Sequence, residues 1–133
     1  MRSVICQTIL LSAPAEALFE MYLDAREHEA ITGAPVTIGK TLGAEFRAFE
    51  GALSGTILAV VTPTLIVQSW RSTEFKPTDP DSTLILSFKP EGDSGLISLV
   101  HIDVPEHDYH GVVEGWEKFY WTPWREYLAR KAR

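Results

Sequence analysis

Residues 109–130 read YHGVVEGWEKFYWTPWREYLAR. Large apolar side chains fall at Val112, Val113, Trp116, Phe119, Tyr120, Pro123, Trp124, Tyr127 and Leu128. Steps of three and four put them on one face of a 3.6-residue helix. Three of the four tryptophans and three of the four tyrosines lie in this stretch. A helix so rich in rings needs a wide apolar surface to rest on, and the strands in the middle of the chain are the only large candidate. Pro123 removes one intrahelical hydrogen bond and predicts a kink near 119–123, which lets the helix follow a curved sheet.

Working outward, residues 36–104 contain no helical pattern. Short runs rich in β-branched and aromatic residues sit at 36–38, 44–49, 53–61, 65–72, 83–89 and 96–104. Gly, Pro and polar turn-formers separate them, and the connections are short enough for hairpins. Arg2–Leu11 reads as a further strand. Ser12 is the expected cap of a helix running to about Leu23, with Leu18, Met21 and Tyr22 buried. Asp24 opens a second short helix, with Glu27 expected to complete a capping box, Ile31 as its anchor and Gly33 at its end. The order strand, helix pair, six strands, long helix predicts an α+β helix-grip fold. In it a curved antiparallel sheet of six to seven strands wraps round the C-terminal helix. No repeat or linker divides the chain, so residues 1–133 are expected to form one domain.

Composition bounds the function. The chain has 133 residues, 45% hydrophobic and 23% charged, with a net charge of −6. That charge disfavours nucleic acid or an anionic membrane as the main partner. No apolar run approaches the roughly 18 residues that span a bilayer, so no membrane partner is expected. The N-terminal apolar stretch is interrupted by Gln7 and Thr8, unlike a signal peptide. A single cysteine, Cys6, fits a reducing cytoplasm and is expected as a buried, inert thiol. Cytoplasmic localisation follows, with the chain a monomer or a homodimer pairing through an edge strand such as 36–38.

The order of four segments resembles a known family: LSAPAEALFEMYLDAREHEAITGAPV, GAEFRAFEGALSGTILAVVTPTLIVQSWR, VHIDVP and EGWEKFYW. The more specific pieces are Phe49-Glu50-Gly51, Gly55, Pro63, Trp70-Arg71 and Gly115-Trp116. Together they resemble the activator of the heat-shock-protein-90 ATPase, in its C-terminal-domain type, over about residues 4–128. That family is START-like (SRPBCC, Bet v-like) with a helix-grip fold, which agrees with the reading above. The resemblance implies a non-enzymatic co-chaperone acting by contact with the heat-shock-protein-90-type chaperone. The eukaryotic activator also carries an N-terminal domain that provides much of its grip. Superfamily relatives more often hold an apolar or aromatic small molecule between sheet and helix.

Candidate site residues follow from that space. Trp70, Trp116, Tyr120 and Trp124 either line a ligand cavity or pack as a filled core, with Phe46, Leu86, Phe88 and Leu99 on the sheet side. His101 either points into the cavity, where it would be the candidate general base of an enzyme, or is a hydrogen-bonded core histidine. His101 and Asp103, two apart on a strand, should share a face, with His107 and His110 nearby. The set matches no recognised ligand spacing, so no metal is expected. Arg71 should pair with Glu45 or Glu50 on the neighbouring strand and turn, either as an ion pair on a solvated face or as a buried pair at the cavity mouth. No nucleophile, phosphate-loop, dinucleotide or zinc-protease motif occurs, so neither a catalytic residue nor a cofactor is expected.

Overall fold

A computed structural model describes residues 2–132; Met1 and Arg133 lie outside it. The elements are β1 (Arg2–Leu11), α1 (Ala15–Leu23), α2 (Ala25–Thr32), β2 (Val36–Thr37), β3 (Glu45–Ala48), β4 (Leu53–Val61), β5 (Leu65–Ser72), β6 (Ser82–Glu91) and β7 (Ser94–Pro105). A 3₁₀ turn (Glu106–Asp108) leads into α3 (Tyr109–Trp116), a π-helical turn (Glu117–Trp121) and α4 (Thr122–Lys131). The seven strands form one sheet in the order β1-β7-β6-β5-β4-β3-β2. Every pairing is antiparallel. Because β1 and β2 end up at opposite edges, α1 and α2 must carry the chain across the whole sheet. No described helix is long and apolar enough to cross a membrane.

Alternation sets the inner face. Ile66, Gln68 and Trp70 on β5, Leu84, Leu86 and Phe88 on β6, and Ile97, Leu99 and His101 on β7 all point inward and are buried. The two short helices cover one part of this face and the C-terminal helix the rest, which is the helix-grip arrangement. One close approach requires glycine: a Cβ on Gly55 would lie 1.9 Å from the Ser69 carbonyl oxygen.

The C-terminal helix departs from a plain 3.6-residue rod. Just before Pro123 the ladder opens to i→i+5 bonding, with the Thr122 N–H donating to the Glu117 carbonyl. Pro123, which has no N–H to give, then falls in the first turn of α4. The wider turn rotates the buried face by about one residue. Phe119, expected on that face, is 45% exposed, while Trp121 is buried at 4%. The Trp121 indole N–H donates to Gln7 Oε1 at 2.8 Å, fixing the helix to β1.

Four further expectations need correction. Ser12 does not cap α1, whose N-cap is Pro14 with no side-chain bond. Asp24 does cap α2, accepting from the Arg26 and Glu27 N–H groups. The Glu27 carboxylate does not complete a box but accepts from the Tyr127 hydroxyl at 2.9 Å and the Lys131 ammonium at 3.3 Å, tying α2 to α4. Cys6 is exposed, because it falls on the outer phase of β1. Asp103 does not share the His101 face: β7 carries an extra residue opposite Val4, and Asp103 takes a left-handed φ of 63° and points outward.

Gly55→Ala should lower stability by about 3 kcal/mol or more, since the Cβ meets backbone that cannot yield. Urea unfolding measures it, and an unchanged midpoint would contradict the β4–β5 register.

Candidate functional site

An open cleft of about 480 Å³ lies between the C-terminal helix, the β3–β4 turn and the end of β5. Its aromatic walls are Phe49, Trp70, Trp116, Phe119 and Tyr120. Ala52, Leu53, Val112 and Gly115 complete the apolar surface, and Ser72, Glu74 and Asp108 supply its polar groups.

Each wall has a local cause. Phe49 sits in a run of left-handed residues, with φ of 52° at Phe49, 57° at Glu50 and 91° at Gly51. Non-glycine residues hold that conformation at a cost, and here it brings the Phe49 ring 5.4 Å from Phe119 and 6.3 Å from Tyr120. The π turn leaves Phe119 half out of the core, so its ring forms the outer wall. Trp70 stands edge-on to His101 at 4.7 Å.

Behind the cleft two buried polar chains hold Trp116, Tyr120 and the backbone at Trp70. The Trp116 indole N–H donates to His101 Nδ1 at 3.2 Å. His101 therefore carries its proton on Nε2 and donates to Ser82 Oγ at 2.8 Å, and Ser82 donates to the Trp70 carbonyl at 2.6 Å. In the second chain His28 Nδ1 donates to the Tyr22 carbonyl at 2.7 Å, so its Nε2 accepts from the Tyr120 hydroxyl at 2.8 Å. The Tyr22 hydroxyl donates in turn to Gln68 Oε1. Burial pushes His28 down to about 4 and His101 down to about 3. Burial also raises the Tyr120 and Tyr22 phenols well above their ordinary range. Both imidazoles are thus neutral, with both nitrogens engaged.

Of the residues singled out in the sequence, Trp70, Trp116 and Tyr120 line the cleft. Phe46, Leu86, Phe88, Leu99, His101 and Trp124 are buried in the core behind it. The Trp70 and Trp124 indole N–H groups have no acceptor among the described residues. His28, Phe49, Glu74, Asp108 and Phe119 belong to the site or its support without being among the sequence candidates. Phe49 could have been, from its place in the unusual Phe49-Glu50-Gly51 turn.

The remaining polar candidates lie elsewhere. Arg71 does not reach Glu45 or Glu50. It clasps the loop after β5, donating to the Lys76 and Asp79 carbonyls at 2.7 Å and to the Asp81 carboxylate at 3.2 Å. His107 bonds Asp79 at 3.0 Å, and that bond holds the Asp79 carboxyl below its ordinary range. Among the described residues no group of three His, Cys, Asp or Glu side chains could hold a metal ion.

A sheet gripping a C-terminal helix, with an aromatic cleft between them, defines a START-like protein. The family model described as Activator of Hsp90 ATPase homolog 1-like protein matches residues 12–129, and the chain belongs to that family. Among solved structures, an HSP90 activator from Plasmodium falciparum superposes with a TM-score of 0.85 at 20% identity, covering 95% of this chain and 96% of the other. A protein from Mesorhizobium loti gives 0.82 at 18% identity, covering 96% and 98%. CalU16 from Micromonospora echinospora gives 0.72 at 25% identity, covering 86% and 67%. No curated protein matches the chain.

The two histidines make stability pH-dependent. Each titrates near 6.5 when unfolded but only at about 4 (His28) or about 3 (His101) when folded. Below 6.5 the unfolded chain takes up protons that the folded chain refuses. The stabilisation from neutral burial is therefore complete above 6.5 and lost as pH falls, down to about 4 for His28 and about 3 for His101. Each group contributes a slope of about 1.4 kcal/mol per pH unit. Urea titrations between these pH values should show the fall, and His28→Gln or His101→Gln should each flatten the slope. An unaltered slope in both variants would contradict the neutral assignments.

Proposed function

We propose that this chain works as one START-like domain that binds an apolar small molecule in the cleft, with no bond chemistry of its own. The observation that carries this reading is the cleft itself. Its volume lies within the roughly 300–1,000 Å³ of ordinary ligand sites, and it is walled by aromatic rings with few polar groups. Trp116 and Tyr120 are held from behind by buried hydrogen bonds, so these two walls are formed before any ligand arrives. A lone exposed thiol at Cys6 suits the reducing cytoplasm as the place of action.

Phenylbutanol, a neutral aromatic probe, should stabilise the protein by about 2.7 kcal/mol at a hundredfold excess over its Kd. Gly115 lines the cleft, and a Cβ there meets only Phe119 Cδ2, at 3.7 Å. Gly115→Leu should therefore fill the cleft, keep the fold and abolish the ligand-dependent shift in thermal unfolding. A shift that survives Gly115→Leu would place binding elsewhere. No shift with phenylbutanol, or with its amine and carboxylate analogues, would sink the ligand reading.

A second reading is favoured by the family match: docking to the heat-shock-protein-90-type chaperone, biasing it toward its closed, ATP-hydrolysing state. The outer face of the sheet offers a surface for it. Cys6, Val100, Ile85, Val67 and Ala59 are register neighbours across five strands. They form an apolar row on the side away from the cleft, with Cys6 exposed and the others half-buried. Titrating the chaperone from the same organism with this protein should give a saturable rise in ATP hydrolysis that Val67→Lys removes. No rise and no binding would leave only the shared fold.

A further inference from the structure

We infer that the cleft selects apolar ligands bearing a positive charge, with the aromatic body against the rings and an ammonium group between Glu74 and Asp108. This deepens the ligand reading of the same cleft and rests on it. Among the described residues, the two lining side chains that carry charge are both carboxylates, and no Lys or Arg lines the cleft. Lys118 stands 5.3 Å from the Phe119 ring centroid but is not among the lining residues.

The two carboxylates arrive from separate elements, the turn after β5 and the turn before α3. The Ser72 hydroxyl accepts from the Glu74 N–H at 3.0 Å and sets the first of these turns. Asp108 is the N-cap residue of α3, yet its side chain makes no capping bond. A hypothetical Cβ on Gly111 would lie 3.0 Å from Asp108 Oδ1, so the carboxylate stays beside the helix face that borders the cleft. Neither carboxylate accepts a hydrogen bond among the described residues.

Burial and the Glu74 charge both raise the Asp108 carboxyl from its ordinary value. The neighbouring His107 pulls the other way but is already bonded to Asp79. An ammonium placed between two like charges relieves their repulsion and keeps both ionised. The adjacent ring faces attract a cation as well, and Trp and Tyr are the better rings for this. A carboxylate or phosphate ligand would meet repulsion at the same place.

Three probes of one shape test this: phenylbutylamine, phenylbutanol and phenylbutyrate, titrated calorimetrically at pH 7 and low salt. The amine should bind at least about tenfold more tightly than the alcohol, and the carboxylate most weakly. Raising salt from about 0.05 to about 0.5 M should weaken the amine and spare the alcohol. Glu74→Gln combined with Asp108→Asn should bring the amine down to the alcohol's affinity and leave the alcohol unchanged. Neither carboxylate holds a structural bond, so this variant should fold, which circular dichroism checks. Equal binding of amine and alcohol, or an amine preference that survives the double variant, overturns the charge selection while the ligand reading stands. Failure of all three probes to bind overturns both.

Discussion

The Trp116 indole N–H donating to His101 is the interaction on which the rest of this structure depends. It joins the C-terminal helix to β7 deep in the core, where neither partner could find water in its place. The chain continues through Ser82 to the Trp70 carbonyl, so one line of hydrogen bonds spans helix, β7, β6 and β5. Such a line fixes the helix in rotation and depth, which stacked apolar side chains alone do less sharply. Gln7 adds a second fixed point through Trp121, and His28 a third through Tyr120. With the Glu27 bonds to Tyr127 and Lys131 further along, these tethers leave the helix one seat on the sheet.

That seat explains the cleft. With Trp116 and Tyr120 drawn inward, the helix meets the β3–β4 turn through the Phe49 contacts with Phe119 and Tyr120, and the cleft is bordered by the same rings. The left-handed turn at Phe49-Glu50-Gly51 and the π turn before Pro123 shape its two rims. Both are local departures from regular geometry, the kind that surrounding structure supports where a site needs it. The polar groups divide by depth: the neutral histidines lie behind the rings and hold them, while the charged carboxylates stand at the edge.

Much of the fold was legible because its strands alternate and its turns are chemically marked. β4 and β5 begin and end where the residue pattern places them, and the grip on a C-terminal helix follows from its ring content. Two of the errors share a cause, which is that each depends on one residue of irregularity. The π turn moved Trp121 inward and Phe119 outward against a strict 3.6 period. The bulge at Asp103 separated it from His101 against a strict period of two. Glu74 and Asp108 were invisible as a pair because they meet only through tertiary folding. His28 is one polar residue on a polar helix, and nothing in that short helix marks it as the acceptor for Tyr120.

Family membership and geometry bear on different surfaces. The family match concerns the whole fold, and chaperone docking would use its outside. The cleft concerns the inside, and its tethers hold whichever reading of the outer face prevails. Those tethers turn on the state of His101, which long-range ¹H–¹⁵N NMR on the imidazole nitrogens reads directly. The ring should be neutral and protonated on Nε2 from pH 7 to about 5, with a Trp116 indole proton that exchanges as slowly as the deepest backbone amides. A ring protonated on Nδ1, an imidazolium at pH 6, or a freely exchanging Trp116 proton would contradict it.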